Sequence, residues 1–152
     1  MHNIEILTTN KLIDYKDSIK IMEQRIQEIH QGTQNELIWF LNHNHIYTQG
    51  TSASNKEIIK NTNIPIIKTN RGGKTTYHGP GQRIVYLMIN LNKKKRDIRK
   101  FIDLIEQSVI FLLRDFKSKE ILPSVDLSSA DVGSSNTNIS GFKYSALAMA
   151  IL

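Results

Sequence analysis

The segment RIVYLMINL, Arg83 to Leu91, is apolar at almost every position and follows directly on the glycine- and proline-rich stretch RGGKTTYHGPGQ. That juxtaposition narrows the possible folds more than any other feature of the chain. The run is far shorter than the ~20 residues a membrane-spanning helix needs, and no other run comes closer. Apolarity at successive rather than alternate positions is what a strand buried on both faces shows, so Arg83–Leu91 is expected at the centre of a sheet.

Strand and helix signals alternate on either side of it. Asn3 to Leu7 reads as a short strand. Leu12, Tyr15, Ile19, Met22, Ile26 and Ile29 lay one apolar stripe along a helix. Thr8, Thr9 or Asn10 is expected to cap its start and Gly32 to end it. So short a stripe is expected to dock on a sheet rather than form a coiled coil. The stretch ELIWFLNHNHIYTQG, Glu36 to Gly50, reads as a strand, a tight Asn-His-Asn-His turn and a second extended piece. Asn63 to Asn70 is a further strand that Pro65 keeps at an edge or at its own start. Asp97 is expected to cap a second helix, with Ile98, Phe101, Ile102, Ile105, Val109, Leu112, Leu113 and Phe116 at helical spacing. The sum is a mixed α/β architecture, and 152 residues suffice for one domain with a real core.

Beyond Lys119 the character changes. All but one of the 20 lysines and arginines precede that point, and LPSVDLSSADVGSSNTNIS reads as a serine-rich linker. GFKYSALAMAIL follows as an apolar tail. The net charge of +6 would suit an anionic partner. Its one tight cluster, Lys93 to Arg96 with Arg99 and Lys100, is explained by a solvated turn entering a helix, so nucleic acid is not an expected partner. MHNIEILTTN lacks the basic start and apolar segment of a secretory signal, and the cytoplasm is the expected location, without membrane attachment. The absence of cysteine excludes disulfides, thiolate metal sites and a thiol nucleophile within these residues.

In the glycine-rich stretch, Gly72-Gly73 permits positive φ and close approach of backbone to a ligand. Gly79-Pro80-Gly81 favours a sharp turn. Between them Lys74, Thr75, Thr76, Tyr77 and His78 combine hydrogen-bond donors, an aromatic wall and a group that titrates near neutrality. Arg71 at the entrance is able to bind an anion bidentately. Such a stretch suits a pocket wall for a ligand with a polar end and an apolar body. A P-loop does not fit, because Lys68 stands where its first glycine would fall and a strand follows. Nor does a dinucleotide fingerprint, for want of a helix N-terminus to receive the pyrophosphate. A purely structural double turn remains open. His43 and His45 share one side of any strand and could mimic a metal pair, although a turn before a strand accounts for them.

RGGKTTYHGPGQ followed by an apolar strand containing Tyr86 closely resembles the signature of the lipoyl(octanoyl) transferase family. Upstream, His43, Tyr47, Thr48 and Gly50 resemble that family's histidine and Tyr-Thr-x-Gly segment, and the likeness covers roughly residues 4–116. The resemblance implies a mixed sheet flanked by helices, as in the catalytic domain of biotin and lipoate protein ligases. It also implies transfer of an octanoyl group from octanoyl-acyl carrier protein to a lysine of apo lipoyl domains. Those domains belong to 2-oxo-acid dehydrogenases and the glycine cleavage H protein. Arg71, Gly72, Gly73, Lys74, Thr75, Thr76, Tyr77 and His78 would form the acyl-binding wall, with no cofactor.

The family passes the acyl group through a cysteine whose pKa a lysine lowers, because thioester exchange needs a thiolate. This chain has no cysteine. KYSALA resembles the family's lysine segment and makes Lys143 the candidate lysine, with a chance match in an apolar tail as the alternative. Residues 1–119 are therefore expected to form the N-terminal part of one octanoyltransferase-like catalytic domain. Residues 120–152 would be a divergent linker and tail, from truncation or a shifted reading frame, and the chain is expected to be inactive in transfer. A lipoate or biotin ligase-like protein and a basic nucleic-acid-binding module are the competing readings.

Overall fold

The structure, a computed structural model, describes residues 4–59, 63–93 and 97–118. The chain divides after Asn90 into two compact units. Among its described residues the first contains six strands and a helix: β1 (Ile4–Ile13), α1 (Tyr15–Gln31), β2 (Glu36–His43), β3 (Ile46–Gln49), β4 (Ile66–Lys68), β5 (Thr75–His78) and β6 (Ile84–Met88). These strands form two three-stranded sheets, ordered β1-β2-β6 and β4-β3-β5.

In the first sheet β2 is central, parallel to β1 and antiparallel to β6. Its odd-numbered residues point to one face, and the register sets Leu37 opposite Met88, Trp39 opposite Tyr86 and Leu41 opposite Ile84. Met22 and Ile29 of α1 close over this face, with Ile13, Ile19 and Ile26 packed at its margin. Arg83–Leu91 supplies β6, which has β2 as its one partner among the described strands. Continuous apolarity reported burial of Ile84, Tyr86, Leu87 and Met88, which is observed; burial does not specify rank within a sheet.

Helix α1 starts later than its stripe implies. Asp14, not Thr8, Thr9 or Asn10, is the N-cap, its carboxylate accepting from the Lys16 N–H at 2.8 Å. The earlier candidates are committed to β1, which pairs with β2 as far as Ile13. Trp39 Nε1 further donates to Thr9 Oγ1 at 2.9 Å. Leu12 is consequently a half-exposed strand residue. The C-terminus ends as expected at Gly32, whose φ of 76° accompanies Gly32 N to Ile29 O and Thr33 N to Glu28 O bonds of 3.2 and 3.0 Å. That pair is a Schellman cap.

β3 does not fold back on β2, because both edges of β2 are already occupied. The chain turns at Asn44-His45 and β3 pairs instead with β4, in parallel, and β5, antiparallel. Pro65 stands just before the edge strand β4, its carbonyl accepting from Tyr47 N at 2.8 Å. In the second unit α2 (Ile98–Ser118) is capped as expected, Asp97 Oδ1 accepting from Lys100 N at 3.0 Å. The serine-rich linker and apolar tail expected over 120–152 lie outside the described residues.

Leu41 is fully buried in the central strand. Leu41→Ala is expected to destabilise the protein by about 2–5 kcal/mol, read as a lower urea midpoint.

Candidate functional site

The alternation that buries Leu37, Trp39 and Leu41 continues to His43, the last residue of β2, which is fully buried. Both its ring nitrogens are engaged. Nδ1 lies 2.8 Å from the Ile13 carbonyl and Nε2 lies 2.8 Å from the Tyr86 hydroxyl. A carbonyl only accepts, so Nδ1 carries the proton and the Tyr86 hydroxyl donates to Nε2. The second sheet contributes His78 by the same logic. Ile46, Thr48, Thr76 and His78 share one face of the β3–β5 pair, and Tyr47 and Tyr77 occupy the other. His78 is 2% exposed, and its Nε2 lies 3.4 Å from Thr48 Oγ1.

Tyr15, in the first turn of α1, joins the two. Its ring stands edge-on to His43 at 5.5 Å between centroids and stacks on His78 at 6.0 Å, with His43 and His78 5.8 Å apart. Tyr86 and Trp39 extend the cluster into the core. Two imidazoles and two phenols therefore meet where the sheets and the start of α1 converge.

Arg71 anchors the stretch before β5. Its Nη2 donates to the Thr48 carbonyl at 2.6 Å, Thr48 Oγ1 at 2.9 Å and the Lys74 carbonyl at 2.8 Å, and its Nη1 to the Gly72 carbonyl at 2.9 Å. The guanidinium thus grips its own backbone and β3, instead of standing open for an anion. Gly50 permits this approach. A Cβ there would meet the carbonyl oxygens of Gly72 and Arg71 at 2.7 and 2.9 Å, and that of Gly73 closer still. The following turn carries Pro80 and Gly81, the latter at φ 82°, and closes with a Gln82 N to Gly79 O bond of 3.1 Å.

The expected wall residues are accordingly distributed. Arg71, Thr76 and His78 are gathered around Thr48. Tyr77 turns to the opposite face, against Tyr47 and hydrogen-bonded to His45. Lys74 through Thr75 lead into β5, and Thr75 N donates to Glu57 at 2.9 Å. His43 and His45 do not form a metal pair, since His43 is saturated and His45 faces Tyr77. Among the described residues no group of three or more His, Cys, Asp or Glu is placed to hold a metal. Lys143 lies outside the described residues. Sequence reasoning passed over Tyr15 as a stripe residue; it matched His43 to the family's histidine but left it out of the expected wall, where carrying the β2 parity two positions further would have placed it.

The cluster is neutral. Burial lowers the His43 pKa, opposed by the Ile13 carbonyl and Asp14. Burial, then the neighbouring His43, hold His78 down to about 4, with Gln82 opposing and Arg71 adding to the effect. Burial raises Tyr86, against the Ser18 hydroxyl, and raises Tyr15, against the Arg71 charge. A site of this kind favours an uncharged ligand with an apolar body and few polar atoms.

Comparison with known proteins shows what the chain as a whole is similar to. The family model described as lipoyl protein ligase A/B catalytic domain matches residues 14–151. An octanoyltransferase of Wolbachia pipientis wMel is 48% identical over 113 residues, covering 74% of this chain and 55% of the relative. One from Brucella melitensis biotype 1 is 40% identical over 116 residues, covering 76% and 44%. The chain thus spans about half the length of the curated relatives it matches.

Two outcomes follow from the geometry. An unfolded histidine protonates near pH 6.5 but folded His78 only near 4, so the unfolded state takes up the proton first as pH falls. The stability due to its burial is complete above pH 6.5 and is lost as pH falls towards 4, by on the order of 3 kcal/mol, with His43 acting in the same direction. Urea midpoints measured across that interval should decline, and less so in His78→Gln. Gly50→Ala should destabilise by about 1–3 kcal/mol in the same assay, because backbone must move to admit the methyl group.

Proposed function

The chain belongs to the lipoyl protein ligase A/B catalytic-domain family, and on that premise we propose that it carries the acyl-binding part of an octanoyltransferase. The reaction is movement of an octanoyl group from octanoyl-acyl carrier protein to a lysine of apo lipoyl domains, those of 2-oxo-acid dehydrogenases and the glycine cleavage H protein. The observation that carries this reading is the neutral cluster of Tyr15, His43, His78 and Tyr86, joined through Thr48 to Arg71. An uncharged thioester suits such surroundings. A phosphate or adenylate suits them less, because the Arg71 guanidinium is engaged by backbone carbonyls, which supports the transferase over a ligase.

The residues in hand bind and orient. Tyr15 and His78 offer flat, buried faces to an acyl chain, and the segment Arg71–His78 is held rigidly beside them. Thioester exchange needs a thiolate, and these 152 residues contain no cysteine. Lys143 keeps its place as the candidate for lowering a thiol pKa. The cytoplasm, where an acyl carrier protein would meet lipoyl domains, accords with this activity. No helix among the described residues is long and apolar enough to cross a membrane.

The test is direct. Mixed with octanoyl-acyl carrier protein and an apo lipoyl domain, the 152-residue chain should transfer no octanoyl group above background while still binding an octanoyl ligand. His78→Ala should weaken that binding about tenfold, the loss of one buried contact. Robust transfer would overturn the need for a thiol, and unchanged affinity in a folded His78→Ala protein would remove the cluster from the acyl site. Octanoyl-adenylate formed from octanoate and ATP would instead establish ligase chemistry.

A further inference from the structure

Charge is divided unevenly along the chain. Residues 1–43 carry four lysines and arginines against six carboxylates, whereas residues 44–83 carry six against one, Glu57. The second stretch is the one that builds β3, β4 and β5. Strand register gathers Lys56, Lys68 and Lys74 at one end of that sheet. Gln49, the last residue of β3, has Lys68 opposite it on β4 and Thr75 opposite it on β5. The two flanking strands are about 10 Å apart, twice the strand spacing. Lys74 precedes Thr75, and Lys56 precedes Glu57, whose carboxylate accepts from Thr75 N at 2.9 Å. All three lysines are exposed, and none forms an ion pair among the described residues. The other charges at this end are engaged by backbone: Glu57 by the first N–H of β5, and Arg71 by the carbonyls of Thr48, Gly72 and Lys74.

Two residues along the strands from that end, on the same face as Lys68, stands the row Ile66, Tyr47 and Tyr77, one residue from each strand. Ile66 is exposed and the two tyrosines are half-buried, their rings 5.4 Å apart. An aliphatic and aromatic row bordered by unpaired ammonium groups has the make-up of a protein-docking surface, apolar at its centre and polar at its rim. A nucleic acid would need cations strung along the path of a phosphate backbone, and these are bunched around a carboxylate. We propose that this end of the second sheet, with Lys56, Lys68 and Lys74 beside the Ile66–Tyr47–Tyr77 row, docks the acidic face of the protein that brings the acyl group. Lys74 joins the surface to the proposed acyl wall, since its carbonyl accepts from Arg71 at 2.8 Å. The identity of the partner rests on the acyl-transfer reading; the sign of its charge rests on the lysines alone.

The experiment titrates octanoyl-acyl carrier protein against the full 152-residue chain, with octanamide as a second, uncharged ligand. Raising sodium chloride from about 50 to about 300 mM should weaken carrier binding about tenfold and leave octanamide binding unchanged. Lys56→Glu combined with Lys68→Glu should weaken carrier binding about tenfold at unchanged octanamide affinity, which also reports that the variant is folded. Lys56→Arg with Lys68→Arg should bind as the unmutated chain does. Glu57→Gln keeps an oxygen for Thr75 N and removes the one negative charge, so it should tighten carrier binding about twofold. Carrier binding that ignores salt, survives the double reversal or weakens in Glu57→Gln overturns the proposal. So does a single-stranded oligonucleotide that displaces the carrier at equal concentration, which would mark a nucleic-acid surface. Carrier protein without its octanoyl group should still bind with the same salt dependence. Absence of octanamide binding beside salt-sensitive carrier binding therefore bears on the preceding section alone.

Discussion

Strand β2 is hydrogen-bonded along both edges, to β1 on one side and β6 on the other, and the arrangement of residues 4–90 follows from that. A strand with no free edge cannot receive β3, so the chain must turn at Asn44-His45 and begin a second sheet. The same two-sided pairing fixes which residues of β2 point inward, and the row Leu37, Trp39, Leu41 leads to His43. The hydrophobic core and the polar end of the site are therefore one alternating series. Its first three members pack against α1, and its fourth meets Tyr15 where that helix begins.

Charge is kept away from the cluster by geometry. Among the described residues Arg71 is the cation that acts on His78 and Tyr15, and its guanidinium is turned onto the carbonyls of Thr48, Gly72 and Lys74. Multiple short bonds to backbone make it a clamp between β3 and the stretch leading into β5. Gly50 removes the side chain that would hold those segments apart. The positive charge still acts at a distance, disfavouring protonation of His78 and favouring ionisation of Tyr15. Burial outweighs it at Tyr15 and reinforces it at His78, so all four rings stay uncharged near neutral pH.

Much of the local structure was legible beforehand because short-range chemistry determines it. Gly32 ends α1 since only glycine enters the left-handed region there without strain, and Asp97 starts α2 because its carboxylate satisfies an unpaired N–H. Pro65 confines β4 to an edge, as its missing donor requires. One reading of local structure needed correction, and it concerns competition between distant segments. The stripe from Leu12 placed the helix too early, because residues up to Ile13 gain more from the ladder with β2. Arg83–Leu91 was expected at the centre of a sheet, and most of its side chains are buried with β2 as the one neighbour among the described strands.

By itself the sequence determined the class of fold, the family, and a segment from Arg71 to His78 dense in groups suited to a ligand. Those conclusions depend on residue types, spacing and turn chemistry, which act over a few positions. Only the tertiary structure decided which of those groups meet. Strand alternation sends His78 and Tyr77 to opposite faces, sheet order brings His43 from β2 beside His78 from β5, and the turn of Arg71 onto β3 converts an apparent anion ligand into a clamp. The last two are relations between residues some 20 to 40 positions apart, set by hydrogen-bond register and by exclusion of charge from the interior.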